Sequence, residues 1–184
     1  IMETLQALDE LVQAGKVAAV GASNLEAAQL EEALETSDRL GLVRFGWAQN
    51  EYSLLAQGAQ GVLDLCEREG LGFTPFSPLA GGWLTGKYRR GEDYPAGSRM
   101  TLRPGPYAEL ASDATFDSLE AFESEAGARG VAPAVLATAW VLSDQRVTAL
   151  VVGPRSPRQL ETALQAVELR LSPEERGELA ELFA

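Results

Sequence analysis

The sequence predicts an α/β protein built on a parallel sheet. Short apolar segments alternate with segments of helical periodicity, and each apolar segment ends in a small polar or glycine-rich break. A strand, a helix and a further strand in that order join parallel strands by right-handed crossovers. Two architectures meet the pattern: a doubly wound open sheet, or part of a (β/α)8 barrel. In both, ligands bind at the carboxyl ends of the strands.

Each element has its own justification. "ETLQALDELVQAG" puts Leu5, Leu8, Leu11 and Val12 on one helical face and stops at Gly15. "VAAVGAS" follows as the first strand, then "NLEAAQLEEALETS" as a helix with Asn24 as its expected N-cap. "VRFGWAQN" reads as the second strand and "GVLDLCEREG" as a helix ending at Gly70. "LGFTPFS" is the third strand, with Pro75 awkward in a strand paired on both sides. From Pro78 to about Ser112 periodicity disappears into Gly, Pro, Arg and Tyr, the composition of a long functional loop. Helices resume with "FDSLEAFESEAGARG" and "APAVLATAWVLSD", and "VTALVVG" is the fourth predicted strand. The last two helices, "SPRQLETALQAV" and "SPEERGELAELF", both open with Ser-Pro, an N-cap followed by Pro in the first turn.

Composition excludes several function classes. With 46% hydrophobic and 23% charged residues, the 184-residue chain has the balance of a globular domain with a real core. No apolar run approaches the ~20 residues that cross a bilayer, and no basic-then-apolar leader opens the chain, so a cytoplasmic protein is expected. The lone Cys66 cannot form an internal disulfide and fits that compartment. A formal net charge of −12 repels nucleic acid and anionic membranes, so neither is expected as a partner. Histidine is absent, which removes the commonest general acid/base and, with one Cys, the usual zinc ligand sets. The chain begins at Ile1 inside a helical pattern, and a missing N-terminal portion is expected.

The strand ends carry the candidate chemistry. Ser23 and Asn24 suit a carboxamide, since Asn both donates and accepts; the plain alternative is helix capping. Gln49, Asn50 and Tyr52 close the second strand and suit the same polar group. Gly81, Gly86 and Lys87 fit the G-x-x-x-x-G-K portion of a phosphate loop, but Tyr88 stands where magnesium ligation needs Ser or Thr. A glycine loop that approaches a pyrophosphate through its backbone is the better reading. Gly153, Arg155, Ser156 and Arg158 lie at a strand-to-helix junction, a setting for a phosphomonoester or for solvated arginines beside a cap. Phe76 is placed to stack on a planar ring. Trp47 and Trp140 are expected in the core, and Glu31-Glu32 and Glu174-Glu175 on solvated helix faces.

Taken together, "GKVAAVGASN", "AQNEYSLL", "PFSPLAGGWLTGKY" and "VVGPRSPRQL" resemble the C-terminal half of the aldo/keto reductase family, strands five to eight of its (β/α)8 barrel. The resemblance runs essentially from end to end and implies NADP as cofactor and reduction of aldehydes or ketones to alcohols. It implies that Ser23, Asn24 and Gln49 hold the nicotinamide carboxamide and that Phe76 stacks on the ring, where Tyr is more familiar. Ser77, Leu79, Gly81, Leu84 and Lys87 match the wrap around the pyrophosphate, and residues 78–112 match the cofactor-covering loop. Gly153, Arg155 and Gln159 match the segment for the adenosine and its 2′-phosphate.

Two departures stand out. Ala163 lies where the family often has an Asn facing the adenine. The family's catalytic Tyr, Asp, Lys and His come from its first four strands, which no segment here resembles, so no catalytic residue is assigned in this chain. Residues 1–184 are therefore expected to form a single incomplete NADP-dependent domain, inactive alone, whose complete protein takes a small carbonyl substrate. A regulatory cofactor-binding module and an inert half-barrel are the alternatives. A half-barrel has two raw sheet edges, so self-association is expected, with Val17, Val20, Phe45, Phe73, Leu150 and Val152 under-packed.

Overall fold

Three strands, β1 (Gly21–Ser23), β2 (Trp47–Gln49) and β3 (Gly72–Phe73), pair in parallel in the order β1-β2-β3. The computed structural model describes residues 1–184. The register aligns Gly21 with Trp47 and Gly72, and Ala22 with Ala48 and Phe73. Because side chains alternate along a strand, this register sorts the sheet into two faces. Ala22, Ala48 and Phe73 are buried, whereas Ser23 and Trp47 are exposed.

Contacts divide the chain into two units of three segments each. The first comprises Ile1–Glu51, Gly58–Phe76 and Gln145–Ala149; the second comprises Tyr52–Gln57, Ser77–Asp144 and Leu150–Ala184.

The first unit holds the sheet with α1 (Met2–Gln13), α2 (Ala27–Leu40) and α3 (Gln60–Glu69). α3 packs on β2 and β3, and α2 packs on both α1 and α3. Their inward residues are the periodic ones: Leu5, then Leu30, Ala33 and Leu34, then Val62, Leu63, Leu65 and Cys66. Burial of each such Leu contributes about 1.5–3 kcal/mol of gross stabilisation. The same burial pushes the Cys66 thiol up to about 11. α2 and α3 both end on a left-handed glycine, Gly41 at φ 67° and Gly70 at φ 68°, where a Cβ would be strained. Arg44 bridges Asp38 and Glu69, each at 2.9 Å, and its hydrogen bond holds the Glu69 carboxyl below its ordinary range.

Three expectations fail here. The segment 147–153 is not a fourth ladder strand. Thr148 donates its N–H to the Phe73 carbonyl (2.9 Å), but its hydroxyl accepts the Phe73 N–H (3.1 Å), a side chain standing where a ladder carbonyl would be. Trp47 is not core: it is 42% exposed, because the period-2 alternation turns Ala48 inward instead. Phe45 and Phe73 are fully packed, so of the residues expected to lack cover only Val152 is clearly exposed.

The second unit is helical: α4 (Arg99–Leu102), α5 (Asp113–Ala128), α6 (Pro133–Leu142), α7 (Pro157–Glu168) and α8 (Pro173–Glu181). Ser112, Ser156 and Ser172 cap α5, α7 and α8, each hydroxyl accepting the N–H three residues on, as the Ser-Pro starts of the last two predict. Glu175 is more than solvating charge: it returns the bond to Ser172 N–H (2.8 Å) and pairs with Arg129 (2.6 Å). The aperiodic segment 78–112 carries 3-10 turns at Ala80–Thr85 and Gly105–Leu110, with α4 between them. Its own aromatic cluster holds it, with Trp83 5.0 Å from Tyr88 and 5.5 Å from Phe116 of α5.

The same unit also holds a buried polar network. Arg176 Nη2 donates to Asp144 Oδ2 and to Tyr52 Oη, both at 3.1 Å. Tyr52 Oη donates to the same carboxylate at 3.3 Å. Arg176 also lies over the Trp140 ring at 4.8 Å, and the two residues exchange bonds to each other's carbonyls at 2.9 Å. No helix of the protein is long and apolar enough to cross a membrane.

Removing one partner of a buried ion pair strands the other charge, at a cost of about 3–5 kcal/mol. Asp144 is 3% exposed, so Asp144→Ala is expected to lose about that much in urea denaturation. A loss below ~1 kcal/mol would show that the network does not hold this unit together.

Candidate functional site

In the first unit, the strand ends bring Ser23, Asn24 and Gln49 together. Ser23 pairs with Gln49 in the sheet, and the Asn24 N–H donates to the Gln49 carbonyl at 3.0 Å. Asn24 then turns into the left-handed region at φ 59°, a conformation Asn tolerates better than most residues. That turn separates it from the helix. The N-cap of α2 is Glu26, not Asn24, and the Gln29 side-chain oxygen accepts the Glu26 N–H at 2.9 Å.

The Ser23 and Asn24 side chains are consequently free of capping. Asn24 Nδ2 donates to Ser23 Oγ at 3.2 Å, and both residues are exposed. Asn50, by contrast, is committed: its side-chain amide donates to the Leu25 carbonyl at 3.0 Å. Phe76 belongs to the same unit and extends the parallel ladder, its N–H donating to the Asn50 carbonyl at 3.1 Å. Tyr52 does not join this group; it is fully buried in the second unit's polar network.

The second unit places Ser77, Leu79, Gly81, Leu84 and Lys87 on one turn of chain. Ser77 (φ 57°), Ala80 (φ 45°), Gly81 (φ 65°) and Gly82 (φ 101°) all lie in the left-handed region, so the backbone here is bent back repeatedly. Leu84 is wholly buried. At Gly81 a Cβ would sit 2.6 Å from the Tyr107 ring, and at Gly82 one would sit 2.2 Å from Lys87 Nζ. The missing side chains are what let an aromatic ring and an ammonium lie directly on this backbone. Ser77 Oγ is 3.4 Å from Tyr107 Oη, and Lys87 Nζ is 4.9 Å from the Tyr88 ring centroid.

At the start of α7, Gly153, Arg155 and Gln159 are exposed. The Gln159 side-chain oxygen accepts the Arg155 N–H at 2.6 Å, so Gln159 fixes the arginine's backbone. Arg155 Nη2 donates to the Gly97 carbonyl at 3.1 Å, tying the α7 start to the long loop. Arg158 is exposed in the first turn.

Each unit's groups have a ligand chemistry of their own. The first unit offers a primary amide, a second amide and a hydroxyl, which match a carboxamide's donor and acceptor. The second offers glycine backbone beside a lysine, and a guanidinium at a capped helix start, which match phosphates.

Tyr107 is the residue that the sequence alone did not mark, since nothing in its local pattern signals that its ring covers Gly81. No cluster of three His, Cys, Asp or Glu side chains is placed to hold a metal ion.

Comparison with known proteins supports the resemblance. Protein tas of Escherichia coli (strain K12) is 32% identical over 180 residues, covering 97% of this chain and 51% of that protein. L-glyceraldehyde 3-phosphate reductase of Escherichia coli O157:H7 is 33% identical over 189 residues, covering 99% of the chain and 54% of the enzyme. A probable voltage-gated potassium channel subunit beta of Oryza sativa subsp. japonica is 34% identical over 182 residues, covering 95% and 55% respectively. The chain spans about half the length of these curated relatives. The family model for the aldo/keto reductases matches residues 1–184 throughout, and the chain belongs to the aldo/keto reductase family.

Proposed function

We propose that the chain is the NADP-binding, C-terminal half of a cytoplasmic aldo/keto reductase whose complete form is a (β/α)8 barrel reducing a small aldehyde or ketone to the alcohol. The observation that carries this reading is the strand-end group in which capping passes to Glu26 and leaves Ser23 and Asn24 available beside Gln49. When bound, NADP(H) supplies the hydride of the reaction. Ser23, Asn24 and Gln49 hold the carboxamide, and Phe76 offers its ring face to the nicotinamide. Ser77, Leu79, Gly81, Leu84 and Lys87 wrap the pyrophosphate, with 78–112 as the covering loop. Gly153, Arg155 and Gln159 serve the adenosine and 2′-phosphate. Neither nucleic acid nor membrane is a partner in this reading.

A second reading is a regulatory cofactor-binding subunit, favoured by the similarity to the probable potassium channel beta subunit. Turnover separates the two only in the complete protein, because this chain holds no match to the family's catalytic Tyr, Asp, Lys and His. Purified 1–184 with NADPH and 4-nitrobenzaldehyde is expected to show no enzymatic turnover. Turnover at ordinary enzyme rates, abolished by a substitution within this chain, would refute that assignment.

Cofactor choice is the sharper test. A charge-assisted contact of about 1.5–3 kcal/mol between Arg155 and the 2′-phosphate gives roughly ten- to 150-fold preference for NADP over NAD. Fluorescence titration of both cofactors is expected to show that preference in the wild type and its collapse in Arg155→Ala. Equal affinities in the wild type would rule the assignment out.

Val151, Val152, Leu160, Leu164 and Val167 are exposed apolar residues of one stretch, the last three at helical spacing on α7. A second copy of the chain is the proposed cover, since two copies make up about the length of one relative. Light scattering after size exclusion is expected to show a dimer that Leu164→Glu weakens. A monodisperse wild-type monomer is the contrary result.

A further inference from the structure

We propose that Glu51 sets the redox preference of the nicotinamide end of the site, favouring the oxidised cofactor over the reduced one; this rests on the cofactor reading above. The sheet register places the residue. Glu51 bridges Phe76 in parallel, which continues the pairing of Ala48 with Phe73 three residues further along both strands. Residues paired across a ladder share a face, and alternate residues of one strand return to it. Gln49, Glu51 and Phe76 therefore stand on one side of the sheet, and Ser23 pairs with Gln49 on that side. The buried Ala48 and Phe73 define the other side, and the Asn50 side chain is spent on the Leu25 carbonyl. Among the paired residues of the sheet, Glu51 is the sole carboxylate.

Its charge is uncompensated. The arginines of the first unit are engaged elsewhere: Arg44 with Asp38 and Glu69, Arg68 with Glu31, Arg146 with Asp64, and Arg39 with the Thr36 hydroxyl. Glu51 is exposed at the strand end, yet burial by the surrounding chain raises its carboxyl above the ordinary carboxylate range. A carboxylate in that setting is stabilised by any cation that a ligand brings to it.

The two forms of the cofactor differ in that respect alone. The oxidised nicotinamide ring is positively charged and the reduced ring is neutral, whereas carboxamide, adenosine and phosphates are common to both. Ser23, Asn24, Gln49 and the face of Phe76 address the common features. Glu51 is the residue of this face that tells the two forms apart. A tighter hold on the oxidised form lowers the potential of the bound couple, which makes it a stronger hydride donor to a carbonyl.

Calorimetric titration of the full chain with NADP⁺ and with NADPH tests this through the ratio of the two affinities. Glu51→Gln is expected to shift the ratio toward NADPH about five-fold, the order of one unit-charge pair under mostly aqueous screening. For a two-electron couple that factor is about 20 mV. Glu51→Lys is expected to shift the ratio further the same way, and Glu51→Asp to hold it within about two-fold of the wild type. Glu35→Gln removes the same charge from an exposed position on α2 and is expected to leave the ratio unchanged. An unchanged ratio in Glu51→Gln overturns the inference while the cofactor reading stands, and so does an equal shift in Glu35→Gln or Glu51→Asp. A Glu51→Gln chain that binds neither form also overturns it, because loss of the charge alone leaves the common contacts intact. A wild-type chain that binds neither form overturns the cofactor reading as well.

Discussion

Trp47 is paired with glycine on both sides, and that arrangement governs what the first unit's sheet can present. A Cβ at Gly21 would lie 2.9 Å from the Trp47 carbonyl, and one at Gly72 would lie 2.4 Å from its ring. The indole therefore lies flat across Gly72 and donates to Thr74 Oγ1. Only one register allows this, and a slip of one residue would put a side chain under the ring and turn every neighbour to the other face. The same register carries Ala22, Ala48 and Phe73 toward the helices and leaves Ser23 level with Gln49 on the other side. The polar strand-end group is thus a consequence of two missing side chains beneath one large one.

The second unit solves a different problem, holding a long stretch of low helical propensity in a defined shape. It does so with aromatic packing inside the loop, arginine pairs on one arm, and the Tyr52–Asp144–Arg176–Trp140 network that joins α6 to α8. Left-handed backbone at Ser77 and Ala80 is sustained because the surrounding contacts over-determine it. Such strain at non-glycine residues is typical of segments shaped for a ligand rather than for stability alone.

Much of this was legible in the sequence, and the failures have physical reasons. The Ser-Pro helix starts, the stops at Gly15 and Gly70, and the polar strand ends all follow local rules that tertiary context does not override. Asn24 misled because the two properties that make Asn a good cap, a short polar side chain and tolerance of left-handed backbone, also suit the residue just before one. Trp47 misled because hydrophobicity marks burial only once the strand's phase is known, and Ala48 sets that phase here. The segment 147–153 has the composition of a strand, but the Thr148 hydroxyl occupies its neighbour's donor. Tyr107 and the Arg155–Gly97 bond were invisible because each joins residues dozens of positions apart through a loop without period.

The division of the chain among its units also bears on the order in which the protein can be made. Each unit draws on three separate segments, and the first is not complete until Gln145–Ala149 has been synthesised. The bond from the Phe73 N–H to the Thr148 hydroxyl spans 75 residues and cannot form until Thr148 has been synthesised. Contacts so distant along the chain are slow to form and leave the nascent sheet exposed in the interval. Neither unit is a contiguous stretch that proteolysis or gene truncation can release whole. Both units include a segment beyond Asp144, Gln145–Ala149 in the first and Leu150–Ala184 in the second.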